Sequence, residues 1–157
     1  MLFQDTGNFV SVFLVGDRII DLVENVDPWV RIKPEAIAEV CDYCRNDTIL
    51  GFESLMCLSG VDYDDHMSVV YHLGSSEHKH KIVLKVEVGR DEPKVPTVER
   101  VWRVANWHER EAYDMYGIVF EGHSDLRRIL CPDDWEGYPL RKDYKVQEYY
   151  RGIKVEV

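Results

Sequence analysis

The chain has no long apolar run and no excess of basic charge, and each absence excludes a class of function. The longest apolar stretch, residues 9–15, is interrupted by Ser11. It is far shorter than the roughly 20 apolar residues that a membrane-spanning helix needs. The formal net charge is −10, whereas a nucleic-acid surface needs a basic footprint. We therefore expect neither a membrane span nor a nucleic-acid partner.

The sequence also lacks the short motifs that bind nucleotides or zinc. Gly60 is followed by neither the glycine spacing nor the Lys-Ser/Thr pair of a phosphate-binding loop. His108 and Glu109 resemble the start of a zinc-protease motif, but Ala112 occupies the position of its second histidine. No serine or cysteine lies in the sequence context of a nucleophile elbow. We expect no metal, no cofactor and no catalytic residue in this chain.

The four cysteines are too few and too scattered for a metal cluster. Cys41 and Cys44 have the spacing of a ligand pair, but no second Cys/His pair accompanies them, and two thiols do not complete a tetrahedral site. We predict that both are small buried residues, and that Cys57 and Cys131 also pack as apolar side chains. Free thiols fit a reducing compartment such as the cytoplasm.

Apolar periodicity predicts a mixture of strands and helices. Alternation and turn residues favour strands at residues 29–33, 52–61, 67–73, 82–88 and 118–120, with antiparallel hairpins in the middle of the chain. Residues 89–96 contain two prolines and no period, so they are predicted to be a linker.

Three helices are predicted from capping residues and from helical spacing. Pro34 starts the first, and Thr97 caps a second over residues 97–105. Asn106 and Glu109 have the spacing of a capping box for the third, which ends at Gly117. The apolar faces of the first two are expected to contain Ile37, Val40, Cys41 and Cys44, and Val98, Val101, Trp102 and Ala105.

Residues 106–143 are the most informative stretch, because charges of both signs alternate there with large aromatic side chains. Neither an ordinary core nor an ordinary solvated surface has this composition. It fits either a catalytic cleft or a surface that another protein covers.

The spacing of the charges in the third helix favours the second interpretation, a surface that another protein covers. Glu109 and Glu111 lie roughly 200° apart around a helix, so they do not share one substrate easily. Arg110 and Asp114 are four residues apart and can pair. We interpret these residues as a charge network that orients a partner-facing surface. The alternative is a free-standing hydrolase that uses Glu111, Asp114 and His123.

The C-terminal part of the stretch has the composition of a docking segment. After residue 122 the sequence shows no sustained period, apart from one predicted helical turn near residues 126–130. Pro139 stiffens the chain, Leu140 can insert into a pocket and Arg141 can form bidentate salt bridges.

These motifs resemble the family of C subunits of NADH-quinone oxidoreductase, the respiratory complex I. The family signature runs from an E-R-E-x-x-D segment to a Trp-x-Gly-x-Pro-Leu-Arg-Lys-Asp stretch, and the spacing agrees over some thirty-five positions. Ser124 departs from it, since the family usually has proline there. The residues that match the signature, and that the resemblance assigns to a partner interface or to structure, are Glu109, Arg110, Glu111, Asp114, His123, Arg127, Arg128, Trp135, Pro139, Leu140, Arg141, Lys142 and Asp143.

The resemblance implies an α+β fold of two layers, with helices packed on one face of a mixed, largely antiparallel sheet and an extended C-terminal tail. We divide the chain into a poorly determined N-terminal segment (1–22), a compact α+β domain (23–122) and an extended partner-binding tail (123–157).

The resemblance also implies a non-catalytic structural and assembly subunit in the hydrophilic arm of a proton-translocating complex. It would brace the quinone-site subunit and contact neighbouring subunits that hold clusters. FMN and iron–sulfur clusters are expected in those partners and none in this chain. The subunit would be peripheral, on the cytoplasmic side of the inner membrane, and would reach the membrane only through the complex. Related membrane-bound hydrogenases and ferredoxin- or F420-linked complexes contain similar subunits and remain the alternative.

Overall fold

The computed structural model describes residues 18–23 and 29–155. The apolar stretch at residues 9–15 and most of the predicted N-terminal segment lie outside the described residues. No helix in the described part of the chain is long and apolar enough to span a bilayer.

A five-stranded mixed sheet forms the centre of the molecule. Its strands are β1 (Ile19–Val23), β2 (Trp29–Ile32), β3 (Ser54–Asp62), β4 (His66–Ser75) and β5 (His80–Gly89). The spatial order is β1-β2-β5-β4-β3, in which β2 and β5 are parallel and the other pairs are antiparallel. The two predicted hairpins, β3–β4 and β4–β5, are therefore confirmed.

Alternating side chains on the strands build the core. In β5, Ile82, Leu84 and Val86 are buried, whereas Lys81 is exposed. Period-two alternation produces this arrangement when one face of a sheet is covered. The covering layer is helical, as the α+β prediction requires.

The first helix, α1 (Ile37–Asn46), follows a short 3-10 turn at Pro34–Ala36. Its buried residues are the predicted Ile37, Val40, Cys41 and Cys44. Burial raises the pKa of the Cys44 thiol to about 12 and that of Cys41 well above its usual value. Both thiols are free and protonated at neutral pH, so their interpretation as core residues is confirmed. Cys57 and Cys131 are only partly buried.

The predicted linker at residues 89–96 is in part a strand. β6 (Lys94–Pro96) pairs in parallel with β7 (Val119–Glu121) and forms a separate two-stranded sheet. This strand leaves no periodic signal in the sequence, because three residues are too few to show alternation.

The helix predicted over residues 97–105 is wrong, because residues 97–104 form turns rather than a continuous helix. The backbone N–H of Trp102 donates to the carbonyl oxygen of Val98. The N–H of Val98, however, donates to the carboxylate of Glu109, and the indole N–H of Trp102 donates to the carbonyl oxygen of Phe52 at 3.3 Å. These tertiary bonds hold the turns against the helix that follows and against the segment before β3. Val98, Val101, Trp102 and Ala105 are nevertheless all buried, as expected of an apolar cluster.

The second helix, α2 (Ala105–Tyr116), begins earlier than the capping box indicated. Asn106 lies inside the helix rather than at its N-cap, which is Val104. Glu109 is fully buried and binds Thr97 and Val98, so it does not reach back along its own helix. The C-terminus agrees with the prediction, since Gly117 adopts a left-handed φ of 75°.

Residues 123–155, which we call the C-terminal segment, contain little regular structure. The predicted helical turn near residues 126–130 is absent, because the backbone N–H groups of 129–131 all point to one carboxylate on α2. The segment ends in a small hairpin of β8 (Tyr149–Tyr150) and β9 (Ile153–Lys154).

Candidate partner-binding site on the C-terminal segment

A buried carboxylate on α2 holds the beginning of the C-terminal segment. Asp114 is fully buried, and its Oδ2 accepts three consecutive backbone N–H groups, from Ile129 at 3.0 Å, Leu130 at 2.7 Å and Cys131 at 2.8 Å. Its Oδ1 accepts a bond from Arg128 at 2.6 Å. Burial alone would raise the pKa of Asp114, but these donors hold it below its usual value. The carboxylate is therefore ionised and saturated.

Two arginines, Arg110 and Arg128, donate further hydrogen bonds to carbonyl oxygens of the C-terminal segment. Arg128 donates to the carbonyl oxygens of Trp135 at 2.9 Å and Gly137 at 2.8 Å, so it binds the later part of the segment as well. Arg110, on α2, donates to the carbonyl oxygens of Arg127 at 3.2 Å and Arg128 at 3.1 Å. The fork of donors on each guanidinium suits this use, since it satisfies several carbonyls that no helix or sheet satisfies.

The predicted pair between Arg110 and Asp114 is thus wrong. Each residue points to the C-terminal segment instead of to the other, and the partner of Asp114 is Arg128. A pair at i and i+4 on an exposed helix gains little. A buried carboxylate gains more from a full shell of donors, and the segment supplies that shell.

The Pro-Leu-Arg-Lys-Asp motif binds the end of α2. The N–H of Leu140 donates to the carbonyl oxygen of Met115 at 3.1 Å, and Arg141 donates to that of Tyr116 at 2.6 Å. Both acceptors belong to the last turn of the helix, where carbonyl groups lack helical partners. The guanidinium of Arg141 also lies 4.8 Å from the ring centre of Tyr138.

A second buried carboxylate holds the motif from the sheet side. Asp62, at the end of β3, accepts a bond from the N–H of Lys142 at 2.8 Å and forms an ion pair with Arg90. Arg90 also pairs with Asp143 at 3.3 Å, and the ammonium group of Lys142 pairs with Asp64 at 2.7 Å. The signature residues Lys142 and Asp143 are thus connected to β3 and to the β5–β6 loop.

A buried glutamate and a buried histidine lie close together at the junction between the core and the C-terminal segment. The side chains of Glu109 and His123 are fully buried, with 3.9 Å between Glu109 Oε2 and His123 Nε2. Burial raises the pKa of Glu109 to about 7. His123 Nε2 lies 3.1 Å from the carbonyl oxygen of Asn106, and its Nδ1 accepts the N–H of Asp125 at 3.0 Å. The imidazole therefore carries its proton on Nε2.

The side chains that a hydrolase would need, Glu111, Asp114 and His123, do not converge on one site. Glu111 is exposed, whereas Glu109, two residues earlier, is buried, as the helical spacing predicted. The carboxylate of Asp114 and both ring nitrogens of His123 are occupied by separate partners. Within the described residues, no group of three or more His, Cys, Asp or Glu side chains is arranged to hold a metal ion.

The C-terminal segment turns apolar side chains towards solvent although its backbone is fixed. Leu130 is 64% exposed and Leu140 is 54% exposed, and Tyr149 and Ile153 are exposed as well. Leu130 and Leu140 directly neighbour residues whose backbone N–H or side chain binds α2. Apolar side chains held outwards in this way have the form of a protein-binding surface.

Three important residues were not among the predicted site residues. Asp62 and Arg90 are remote from the signature, and only the tertiary fold brings them to it. Trp107 stands within the signature region and proves to be 69% exposed. Its position one helical turn from Val104 could have indicated an outward apolar pair, had the start of α2 been placed correctly.

Comparison with known proteins identifies the family. Residues 30–150 match the family described as the respiratory-chain NADH dehydrogenase 30 kDa subunit. The chain belongs to this family. It is 55% identical over 152 residues to the C subunit of NADH-quinone oxidoreductase from Chloroherpeton thalassium, covering 89% of this chain and 60% of that protein. It is 53% identical over 120 residues to the C subunit from Chlorobium phaeobacteroides, covering 74% of this chain and 72% of that one. The predicted resemblance is confirmed, and the chain spans roughly two thirds of the length of these relatives.

Two solved structures share the fold. The trypsin-resistant fragment of Nqo5 has a TM-score of 0.65 and 27% identity, covering 80% of this chain and all of the fragment. A chain of the membrane-bound sulfane sulfur reductase, an archaeal respiratory membrane complex, has a TM-score of 0.75, covering 90% of this chain and 85% of that one. At 21% identity the second likeness shows the fold alone.

Proposed function

We propose that this chain is a non-catalytic subunit in the hydrophilic arm of a proton-translocating NADH:quinone oxidoreductase. In that role it braces the quinone-site subunit and contacts neighbouring cluster-bearing subunits. The chain contributes to electron transfer from NADH to quinone only as part of the complex. FMN and the iron–sulfur clusters belong to partner subunits, and the chain lies peripherally on the cytoplasmic side of the inner membrane.

One observation supports the docking role above the others: Leu130 and Leu140 are exposed on a backbone that is rigidly held. Asp114 fixes the N–H of Leu130, and the carbonyl oxygen of Met115 fixes that of Leu140. A preorganised surface loses little conformational entropy on binding, which favours a stable interface. The relatives that are named as C subunits of NADH-quinone oxidoreductase support the choice of complex.

The signature residues divide between two roles in this proposal. Those that bind within the chain shape the surface, namely Arg110, Asp114, His123, Arg128, Trp135, Arg141, Lys142 and Asp143. Those that point outwards or lie beside outward side chains make the contact, namely Glu111, Arg127, Pro139 and Leu140. Glu109 belongs to the first group because it is fully buried.

The test compares exposed apolar side chains inside and outside the proposed interface. A tagged chain carrying Leu130→Ala and Leu140→Ala is expressed in the native host, and the complex is extracted gently and quantified by mass spectrometry. We expect the variant to lose its co-purifying flavin and iron–sulfur subunits several-fold. Ile49→Ala, also an exposed apolar side chain but located between α1 and β3, is the matched control and should retain them.

The same purification discriminates among the functions. Flavin and iron–sulfur subunits with NADH:quinone activity support the proposal. A nickel–iron hydrogenase subunit in their place would move the chain to the sister complexes, which the shared fold alone does not separate. A solitary chain that turns over a substrate would overturn the proposal in favour of an enzyme.

A further inference from the structure

A second exposed surface lies at the start of α2 and contains none of the outward signature residues. Trp107 is 69% exposed, and Val104, one helical turn before it, is 48% exposed. Large apolar side chains that adjoin each other in solvent contribute little to the stability of an isolated chain. They commonly mark surfaces that another molecule covers.

Two arginines beside this apolar pair have no partner within the described residues. Arg100 and Arg103 are exposed, and neither side chain forms an ion pair or hydrogen bond there. Most other arginines of the described chain bind a carboxylate or a carbonyl group, as Arg128 and Arg141 do. In a chain with a net charge of −10, two neighbouring exposed arginines that form no ion pair are unusual.

The nearest acidic group is already committed to bonds within the chain. Glu99 accepts bonds from the side-chain amide of Asn106 at 2.8 Å and from the N–H of Ser124 at 2.7 Å. Although burial opposes the change, these donors lower the pKa of Glu99. Its hydrogen bonds are therefore formed within the chain and neither arginine is bound to it, so the arginines keep their donors free for an external acceptor. The negative charge of Glu99 remains in the groove, where the two arginines outweigh it.

These side chains enclose a groove of about 440 Å³. Its lining consists of Glu99, Arg100, Arg103, Asn106, Trp107 and Ser124. The groove combines the indole ring of Trp107 with two guanidinium groups and the carboxylate of Glu99. Tryptophan and arginine are the side chains most enriched at energetically dominant positions in protein interfaces.

We propose that this groove binds an acidic segment of a neighbouring protein subunit. Carboxylates of the segment pair with Arg100 and Arg103, and an apolar side chain between them packs on Trp107. Charge complementarity carries the assignment, because a guanidinium matches a carboxylate in a bidentate pair. The remainder of this acidic chain repels such a segment, so the two arginines fix where it binds.

A membrane surface fits the groove less well. Binding to anionic lipid uses clusters of roughly four to eight basic residues, and this groove has two. The net charge of −10 opposes approach to an anionic surface. The arginines also line a concave groove, whereas lipid headgroups present a broad plane.

Photo-crosslinking in the assembled complex tests the location. The proposal rests on the proposed function, because the partner is a subunit of the same complex. The photo-crosslinking amino acid p-benzoylphenylalanine replaces Trp107, Leu140 or Ile49 in three separate variants. We expect position 107 to crosslink to a peptide of another subunit that contains Asp or Glu, and position 49 to give no such product.

The outcomes separate the two proposals. A crosslink from position 140 without one from position 107 overturns the groove proposal and leaves the proposed function standing. Intact complex without a crosslink from position 140, or a chain that purifies alone, counts against the proposed function. Lipid adducts at position 107, or a peptide without acidic residues, also overturn the groove proposal.

Charge reversal tests the chemistry of the groove. Arg100→Glu with Arg103→Glu should reduce retention of the chain in the purified complex several-fold, and the loss should increase with NaCl concentration. Arg45→Glu reverses another exposed arginine that makes no ion pair within the described chain, and it should be retained. Changing the crosslinked acidic residues to lysine should restore the double variant. Retention of the double variant at the level of the control would contradict the proposal.

Discussion

The sheet domain and the C-terminal segment are stabilised by different forces. Side chains such as Ile32, Tyr71 and Leu84 are fully buried in the core and hold the sheet against the helices through apolar burial. The C-terminal segment has little apolar burial, and hydrogen bonds to the buried carboxylates of Asp62 and Asp114 fix it instead. A segment held in this way can keep its leucines in solvent and still have a defined shape.

The difference also explains why the two regions serve different purposes. Apolar packing is insensitive to the identity of individual residues, provided that volume and pattern are kept. A buried carboxylate whose oxygens are saturated by donors accepts no substitute, because each donor would lose its partner. Glu109, Arg110 and Asp114 of the E-R-E-x-x-D signature therefore lie where hydrogen bonds position a surface. The strands of the sheet need only an alternation of apolar and polar residues.

The largest effect is expected from removing the carboxylate of Asp114, which holds the C-terminal segment. Asp114→Ala leaves Arg128 and three N–H groups without their acceptor. We expect a loss of about 3–5 kcal/mol in the free energy of unfolding, the usual cost of breaking a buried charge pair. Urea denaturation measures this loss, and hydrogen exchange should show residues 127–143 opening while β4 and β5 stay protected.

Asp133→Ala is the matched control for that change. Asp133 is exposed in the same segment, and its removal should change stability by less than about 0.5 kcal/mol. If Asp114→Ala unfolded the sheet and the segment together at every denaturant concentration, the two regions would be one cooperative unit. The contrast drawn between them would then fail.

Titration of Glu109, at the junction of the two regions, should make the free energy of unfolding depend on pH. The pKa of Glu109 is raised by burial from 4.5 to about 7, so the folded state binds a proton more tightly than the unfolded state. Stability therefore falls as pH rises from about 4.5 through 7, by about 3 kcal/mol for this group. Urea denaturation of the wild type at pH 5, 6, 7 and 8 measures the decline.

Glu109→Gln should remove most of this decline. Glutamine resembles the protonated acid and can keep bonds to Val98 and Thr97, so the variant should match the wild type near pH 5 and exceed it at pH 8. Glu111→Gln, on the exposed face of the same helix, should leave the pH profile unchanged. Parallel profiles for wild type and Glu109→Gln would show that Glu109 does not titrate in this range.

The turn between α2 and β7 contains a single backbone position where the C-terminal segment packs on the α+β domain. Gly117 has a φ of 75°, and an added Cβ would lie 2.5 Å from the ring of Tyr138. Gly117→Ala should cost about 2 kcal/mol, because the left-handed conformation is unfavourable for alanine and the ring must shift. Thermal unfolding should show the loss. Gly89→Ala, which meets no atom within 4 Å, should cost less than half as much.

The smallest effect is expected for the arginine of the Pro-Leu-Arg motif. Arg141→Ala removes one hydrogen bond to Tyr116 and the contact with the ring of Tyr138. A half-buried bond of this kind contributes about 1 kcal/mol to the free energy of unfolding. Lys145→Ala, an exposed neighbour, should have no measurable effect in the same urea titration. A loss above about 3 kcal/mol would mean that Arg141 belongs to the core rather than to the surface frame.

The regular elements were predictable where a period is long enough to be visible. Alternation over residues 82–88 located β5, and apolar spacing located the buried face of α1. β6 and the turns at residues 97–104 were not predicted. In both places a tertiary partner, β7 for one and Glu109 for the other, outweighs the local preference.

The fold class, the family and the signature residues could be predicted from the sequence, because periodicity and motif spacing are properties of the chain alone. Which signature residues bind one another depends on the packing of the folded chain. Arg110 and Asp114 stand at helical spacing but bind residues 14 to 18 positions away, since a buried charge selects the partner that best satisfies it. The exposure of Trp107 and the free donors of Arg100 and Arg103 were likewise decided by packing, because exposure depends on what the rest of the chain leaves uncovered.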